Sequence, residues 1–191
     1  MNVRDKHALL DAGIARMQAF CRLNDIFTPA VIECARLTWI FNECAYYRNK
    51  EISICIEKCA TVSASPRAWS YPGYSTDRTP YGVIAHELGH HVDVIKSTRK
   101  GNYYGDFSLN MRADTNAPPL TSYCPNDAEW FAEMFRLFVT NADLLQAMRP
   151  TVHAALLTAG FKPIFGETWR DVLRDAPDRF ENAIMHKIVP R

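Results

Sequence analysis

The sequence predicts an α+β fold in which helices come first, a small sheet follows, and helices complete the chain. Three observations carry this prediction. A segment of helical periodicity opens the chain, a short run of alternating isoleucines lies near residue 54, and helical patterns punctuated by proline and glycine fill the second half. With 191 residues, 48% of them hydrophobic, the chain can bury one sizeable core, so a single domain spanning residues 1–191 is expected.

Residues 5–23 carry the first helical period through Leu9, Leu10, Ile14, Met17 and Phe20. Thr28 as N-cap and Pro29 in the first turn predict a second helix, with Val31, Cys34, Leu37, Phe41 and Cys44 on adjoining rows. Residues 51–57 alternate in the β manner and place Ile52, Ile54 and Ile56 on one face, and residues 61–64 and 68–71 add two short strands. A mixture of Pro, Gly, Ser and aromatics over residues 65–79 reads as a loop. Thr79 and Pro80 then begin a helix that runs to about Lys96. Residues 101–122 show no sustained period and contain Gly105 and the Pro118-Pro119 pair, which predicts a long loop. Residues 126–140 are strongly helical, and short helices separated by Pro150, Gly160, Pro163, Gly166 and Pro177 follow.

Charge and composition exclude several classes. Lys and Arg total 22 against 21 acidic residues, which leaves no positive surplus for a phosphate backbone, so no nucleic-acid partner is expected. The opening residues carry charges where a signal peptide would be apolar, and no run approaches the roughly 18 apolar residues of a membrane helix. A cytoplasmic location without a membrane partner is the expectation. The six cysteines, at 21, 34, 44, 55, 59 and 124, are accordingly read as reduced thiols. Cys55 and Cys59 lack the Cys-x-x-Cys spacing of a structural zinc site, and no second metal site is expected there.

The chemistry concentrates in His86-Glu87-Leu88-Gly89-His90. At about 100° per residue, His90 lies about 40° around a helix from His86, so both imidazoles can reach one ion from one face. Two neutral imidazoles suit zinc and leave room for a third ligand and a water, while Glu87 can take a proton from that water. Ile84, Leu88, Val92 and Ile95 form an apolar stripe on the other side of the same helix. His91 falls too far around to join the pair and is read as exposed or locally bonded. Asp93 returns to the histidine face, where it is either the third ligand or, the preferred assignment, a carboxylate that orients a ligand or caps a nearby donor.

Such a site needs a further ligand from elsewhere, and the helix over residues 126–140 offers two. Its apolar arc contains Phe131, Met134, Phe135 and Phe138, with Glu129 and Glu133 on the opposite side at i, i+4. Alone, that acidic face would be merely solvated. Packed against the histidine helix, it would line one cleft.

His86-Glu87-x-x-His90 continued by Val92-Asp93, Leu120-Thr121-Ser122-Tyr123, and Ala128-Glu129-Trp130-Phe131-Ala132-Glu133-Met134-Phe135-Arg136-Leu137 together resemble the zincin metallopeptidases of the glutamate-ligand type, the family of the anthrax lethal factor catalytic domain. The resemblance covers residues 82–140. It implies a zincin-like fold, with a small mixed sheet, an active-site helix and a mainly helical C-terminal half, built around one catalytic zinc ion. It further implies that Glu129 is the third zinc ligand beside His86 and His90, that Glu87 is the general base, and that Tyr123 is the phenol that stabilises the oxyanion. Glu133 becomes a carboxylate bonded to a ligand histidine, His86. The sequence departs from the family at Cys124-Pro125 and in the Tyr123 to Glu129 spacing, which is one residue shorter. Nothing of the toxin's receptor binding or membrane crossing is implied.

The expected activity is hydrolysis of a peptide bond within a protein or peptide substrate, whose strand would add to a sheet edge in residues 61–74. Two other classes compete with it. A catalytically silent, zinc-stabilised binding protein would lack a base or a ligand, and none is missing here. A small adaptor with coincidental histidine and acidic faces would be indifferent to chelation. Cys124, beside Tyr123, is read as a small packed hydrophobe rather than a thiolate that approaches the metal.

Overall fold

The computed structural model describes residues 3–35, 44–59, 78–98, 105–120, 124 and 126–164. Helix α1 (Val3–Leu23) follows the predicted period, with Leu9, Leu10, Met17 and Phe20 all buried. Burying each of these side chains contributes about 1.5–3 kcal/mol relative to exposure. Arg16 ties the helix to segments far along the chain, donating from Nε to the Val139 carbonyl at 2.9 Å and from Nη2 to the Ile164 carbonyl at 2.7 Å.

The segment after Thr28 is not the predicted helix. It forms strand β1 (Ala30–Glu33), and β2 (Ala45–Arg48) and β3 (Glu51–Ile54) complete a mixed sheet in the order β1-β3-β2. β1 runs parallel to β3, and β2 runs antiparallel to it. Thr-Pro opens a strand as readily as a helix, because a proline lacking N–H suits either first position. The β-branched Val31 and Ile32 then find backbone partners on β3, whose flanks also bind Ala30 N, to the Lys50 carbonyl at 3.1 Å, and Cys34 N, to the Ile54 carbonyl at 2.8 Å. Leu37 and Phe41 lie outside the described residues.

β3 keeps Ile52 and Ile54 fully buried, but Ser53 on its other face is buried too, so the strand is covered on both sides. It ends at Ile54, and Ile56 opens a 3-10 turn (Ile56–Lys58) instead of continuing the alternation. Asn49 and Lys50 join β2 to β3 with φ of 52° and 66°, the left-handed pair that a two-residue hairpin turn requires. The two strands expected at 61–64 and 68–71, and most of the loop leading to residue 79, lie outside the described residues.

Helix α2 (Pro80–Lys96) begins where predicted, with the Thr79 hydroxyl accepting from Gly82 N at 3.3 Å and Pro80 at the first position. Every residue from Pro80 to Asp93 is buried. The helix is therefore surrounded: α1 lies against it, β2 covers another part, and α4 (Asp127–Thr140) covers the histidine face. The approach of α4 is close because Gly89 carries no side chain; a Cβ there would sit 2.7 Å from Ala132 Cα.

Between them lies α3 (Asp106–Thr115), where a long loop was expected. Its N-cap, Gly105, makes no side-chain cap bond. The missing cap comes from α2: the Asp93 carboxylate accepts from Gly105 N at 2.9 Å and from Ser108 N at 2.7 Å. A helix whose start is satisfied by a distant residue leaves no local start signal in the sequence. After it, residues 116–119 run irregularly through the Pro118-Pro119 pair, in keeping with the prediction for that part.

Asn126 caps α4 by accepting from Glu129 N at 2.9 Å. Phe135 on α4 meets Phe20 of α1, Phe161 and its own neighbours Phe131 and Phe138, and Phe138 also meets Phe20, with ring centroids 5.4 to 6.2 Å apart, an aromatic cluster that locks the two helices. α5 (Ala142–Met148) and α6 (Pro150–Thr158) follow, the latter opening on Pro150 and closing before Gly160, whose φ of 91° turns the chain away. Among the described residues no helix is long and apolar enough to cross a membrane. The α+β class is thus as predicted, with six helices and a three-stranded mixed sheet among the described residues.

Candidate metal centre

α2 carries His86, Glu87 and His90, each under a tenth exposed, and α4 carries Glu129 and Glu133 across the Gly89–Ala132 contact. The imidazole of His86 lies between the two carboxylates. Its Nε2 is 3.0 Å from Glu129 Oε2, and its Nδ1 is 2.8 Å from Glu133 Oε1. His90 Nε2 stands 3.5 Å from the same Glu129 oxygen. Among the described residues, the one convergent group of potential ligands is His86, His90 and Glu129, with ligand atoms within 4.8 Å of one another.

These separations fit a metal. Ligand atoms about 2.0–2.1 Å from a tetrahedral zinc lie roughly 3.3 Å from each other, close to the 3.0 and 3.5 Å that separate Glu129 Oε2 from the two histidines. The donor set is also chemically apt, with two imidazoles and one carboxylate, the carboxylate on the more exposed side.

Electrostatics express the same convergence. Burial disfavours a charged His86, but hydrogen bonds to Glu129 and Glu133, with the nearby charges of Glu133 and Glu87, push its imidazole up to about 10. Burial likewise opposes ionisation of Glu129, and His86 and His90 outweigh it, holding that carboxyl well below the usual carboxylate range. For Glu133 the opposing burial is overcome by Arg136 and His86, giving about 2. A proton on His86 thus binds these acids together in the metal-free chain. A metal held at Nε2 would have to displace that proton.

The remaining site residues divide clearly. Glu87 is buried next to His86 on α2, close enough for its charge to favour the imidazolium. Glu133 meets His86 Nδ1, the contact the family resemblance implies. Tyr123 lies outside the described residues. Asp93 takes the second of its two expected roles, capping nearby donors: its two oxygens accept from Gly105 N, Ser108 N and Ser108 Oγ at the start of α3, and among the described residues no hydrogen bond joins it to His86 or His90. Cys124 is half-buried against the core, and all six cysteines are free thiols. Within the 3-10 turn, Cys59 Sγ donates to the Cys55 carbonyl at 3.6 Å.

His91 departs furthest from its prediction. It is fully buried and bonded to distant elements, with Nε2 2.8 Å from the Phe27 carbonyl and Nδ1 3.0 Å from Tyr47 Oη. A carbonyl only accepts, so Nε2 carries the proton and Nδ1 accepts from the tyrosine hydroxyl, which itself accepts from Lys50 N at 3.2 Å. Burial pushes the His91 pKa down, in keeping with this neutral form. The ring joins α2 to β2 and to the segment before β1. Sequence periodicity could not reveal this, since it ranks helix faces without saying what covers them.

Arg136 was also missed as a site residue. Its signal was a charge inside the apolar run Met134-Phe135-Arg136-Leu137-Phe138, three residues after Glu133. Comparison with protein-family models, curated proteins and solved structures found no match, so the chemistry rests on this geometry and on the sequence blocks.

Proposed function

We propose that the chain is a zinc-dependent endopeptidase with a zincin-like fold. The observation that carries this reading is the convergence of His86, His90 and Glu129 from two helices, with Glu87 beside them on α2. Zinc bound there would act as a Lewis acid, lowering the pKa of a bound water toward neutrality and polarising the substrate carbonyl.

The chain's own residues supply the rest. The Glu87 carboxylate takes the proton from the attacking water and delivers it to the leaving amine. Glu133 accepts from His86 Nδ1, which leaves Nε2 for the ligand set. Tyr123 donates its phenolic hydrogen to the developing oxyanion, an interaction worth about 2–4 kcal/mol. The substrate is a protein or peptide in extended form.

The close contacts of His86 with both carboxylates favour a second reading, a silent binding protein in which this cluster serves stability alone. Metal content and cleavage separate the two. The proposal expects about one zinc per chain, lost in Glu129→Ala, and cleavage of a mixed peptide library that stops on chelation and returns with zinc. A zinc-loaded chain that leaves the library intact under all conditions would support the silent reading.

A further inference from the structure

Arg136 is a large charged side chain only 1% exposed, on a helix that buries Phe135, Leu137 and Phe138 around it. Its Nε donates to Glu133 Oε1 at 3.0 Å and its Nη2 to Glu133 Oε2 at 3.1 Å, a two-point fork onto a carboxylate that is itself fully buried. The same Oε1 stands 2.8 Å from His86 Nδ1. Three groups from two helices therefore meet in line behind the ligand cluster.

The geometry explains what the fork does. A glutamate side chain ends in a broad, roughly two-fold torsion, so a single contact with His86 would leave its carboxylate plane free to turn. Engaging both oxygens at once fixes that plane. Oε1 then meets the imidazole edge from one direction, and a ring held at Nδ1 directs Nε2 toward Glu129 Oε2, 3.0 Å away. Stability alone gives a poor account of such a pair, since replacing a buried ion pair by apolar side chains of similar volume is often neutral or stabilising.

We infer that Arg136 is a positioning residue of the metal centre: acting through the Glu133 carboxylate, it holds the His86 ring with Nδ1 as donor and Nε2 turned to the ion. The inference rests on the metal centre proposed above.

The test uses the full chain, with zinc alone as the probe, and the variants Arg136→Met and Arg136→Lys. Zinc affinity is read by competition with a chromophoric chelator. The His86 Nδ1–H proton is read by NMR on chain with labelled histidine, with and without zinc. In the unaltered chain that proton gives a downfield, slowly exchanging signal. In Arg136→Met the signal broadens or disappears and zinc affinity falls about 10- to 100-fold, the range seen when such outer partners are lost. Arg136→Lys keeps the charge but loses the fork, and falls between the two on both readouts.

An unchanged ring signal together with zinc affinity within about twofold of the unaltered chain in Arg136→Met would overturn the inference. Where the methionine variant does not fold, the same result in Arg136→Lys overturns it. If the unaltered chain binds no zinc, the metal centre itself is refuted. The ring signals of the metal-free variants then decide whether Arg136 positions His86 at all.

Discussion

At the scale of single residues, the proposed ligand set depends most on Glu129. It approaches both histidines, at 3.0 and 3.5 Å, and it alone among the three potential ligands comes from α4. Glu129→Gln should therefore weaken zinc binding far more than any exposed substitution on the same helix, by at least about tenfold, as measured by chelator competition. Cys124→Ser should leave activity unchanged with and without reductant, as expected of a packed thiol. The histidine pair was legible in the sequence because an i, i+4 offset is a property of the helix itself. Glu129 and Glu133 were legible as candidates from their i, i+4 spacing, but their separate roles came only through family resemblance, since nothing local says which helix an acidic face will meet. Arg136 and His91 stayed hidden for the same reason: whether a polar side chain turns inward is settled by what packs over it.

At the scale of elements, the site exists because α2 and α4 come unusually close at Gly89 and Ala132. Gly89→Ala forces a Cβ to within 2.7 Å of backbone and must push α4 outward. Overpacking of this kind costs about 1–3 kcal/mol, and here it should also reduce zinc affinity, so thermal unfolding and metal titration should shift together. Asp93→Ala should act differently. It removes the acceptor for two N–H groups at the start of α3, lowering stability by about 0.5–2 kcal/mol while leaving the metal ligands in place. Element boundaries were readable where capping is local, as at Thr79-Pro80 and Asn126. They were misread where it is not. α3 takes its cap from α2, and β1 takes its partners from β3, so the sequence around each carries only half of the interaction.

For the whole molecule, the buried acid–histidine network links stability, pH and metal. Because His86 holds its proton more tightly in the folded chain, its contribution is complete below about pH 6.5 and is lost as pH rises toward about 10. Glu133 holds its proton less tightly, so its contribution is complete above about pH 4.5 and is lost as pH falls toward about 2. Through this network the metal-free chain should be most stable between about pH 4.5 and 6.5, a window that thermal melts across pH would reveal. Zinc should raise the melting temperature more as pH rises from that window toward about 10, where the His86 proton with which it competes is progressively lost; a concentration 100 times its dissociation constant adds about 2.7 kcal/mol. Hydrophobic periodicity gave access to the α+β class, whereas the small mixed sheet was expected only through the family resemblance, since a parallel pairing depends on two segments that are not adjacent in the chain.

If Glu87 moves protons for a metal-activated water, its carboxylate is needed for cleavage and not for metal binding. Cleavage of a mixed peptide library by the zinc-loaded chain is measured beside that of zinc-loaded Glu87→Gln, with the metal content of both determined on the same samples. The account predicts equal zinc in the two proteins and a cleavage rate at least about 100-fold lower in the variant. A fully loaded Glu87→Gln chain that cleaves as fast as the unaltered one would contradict it.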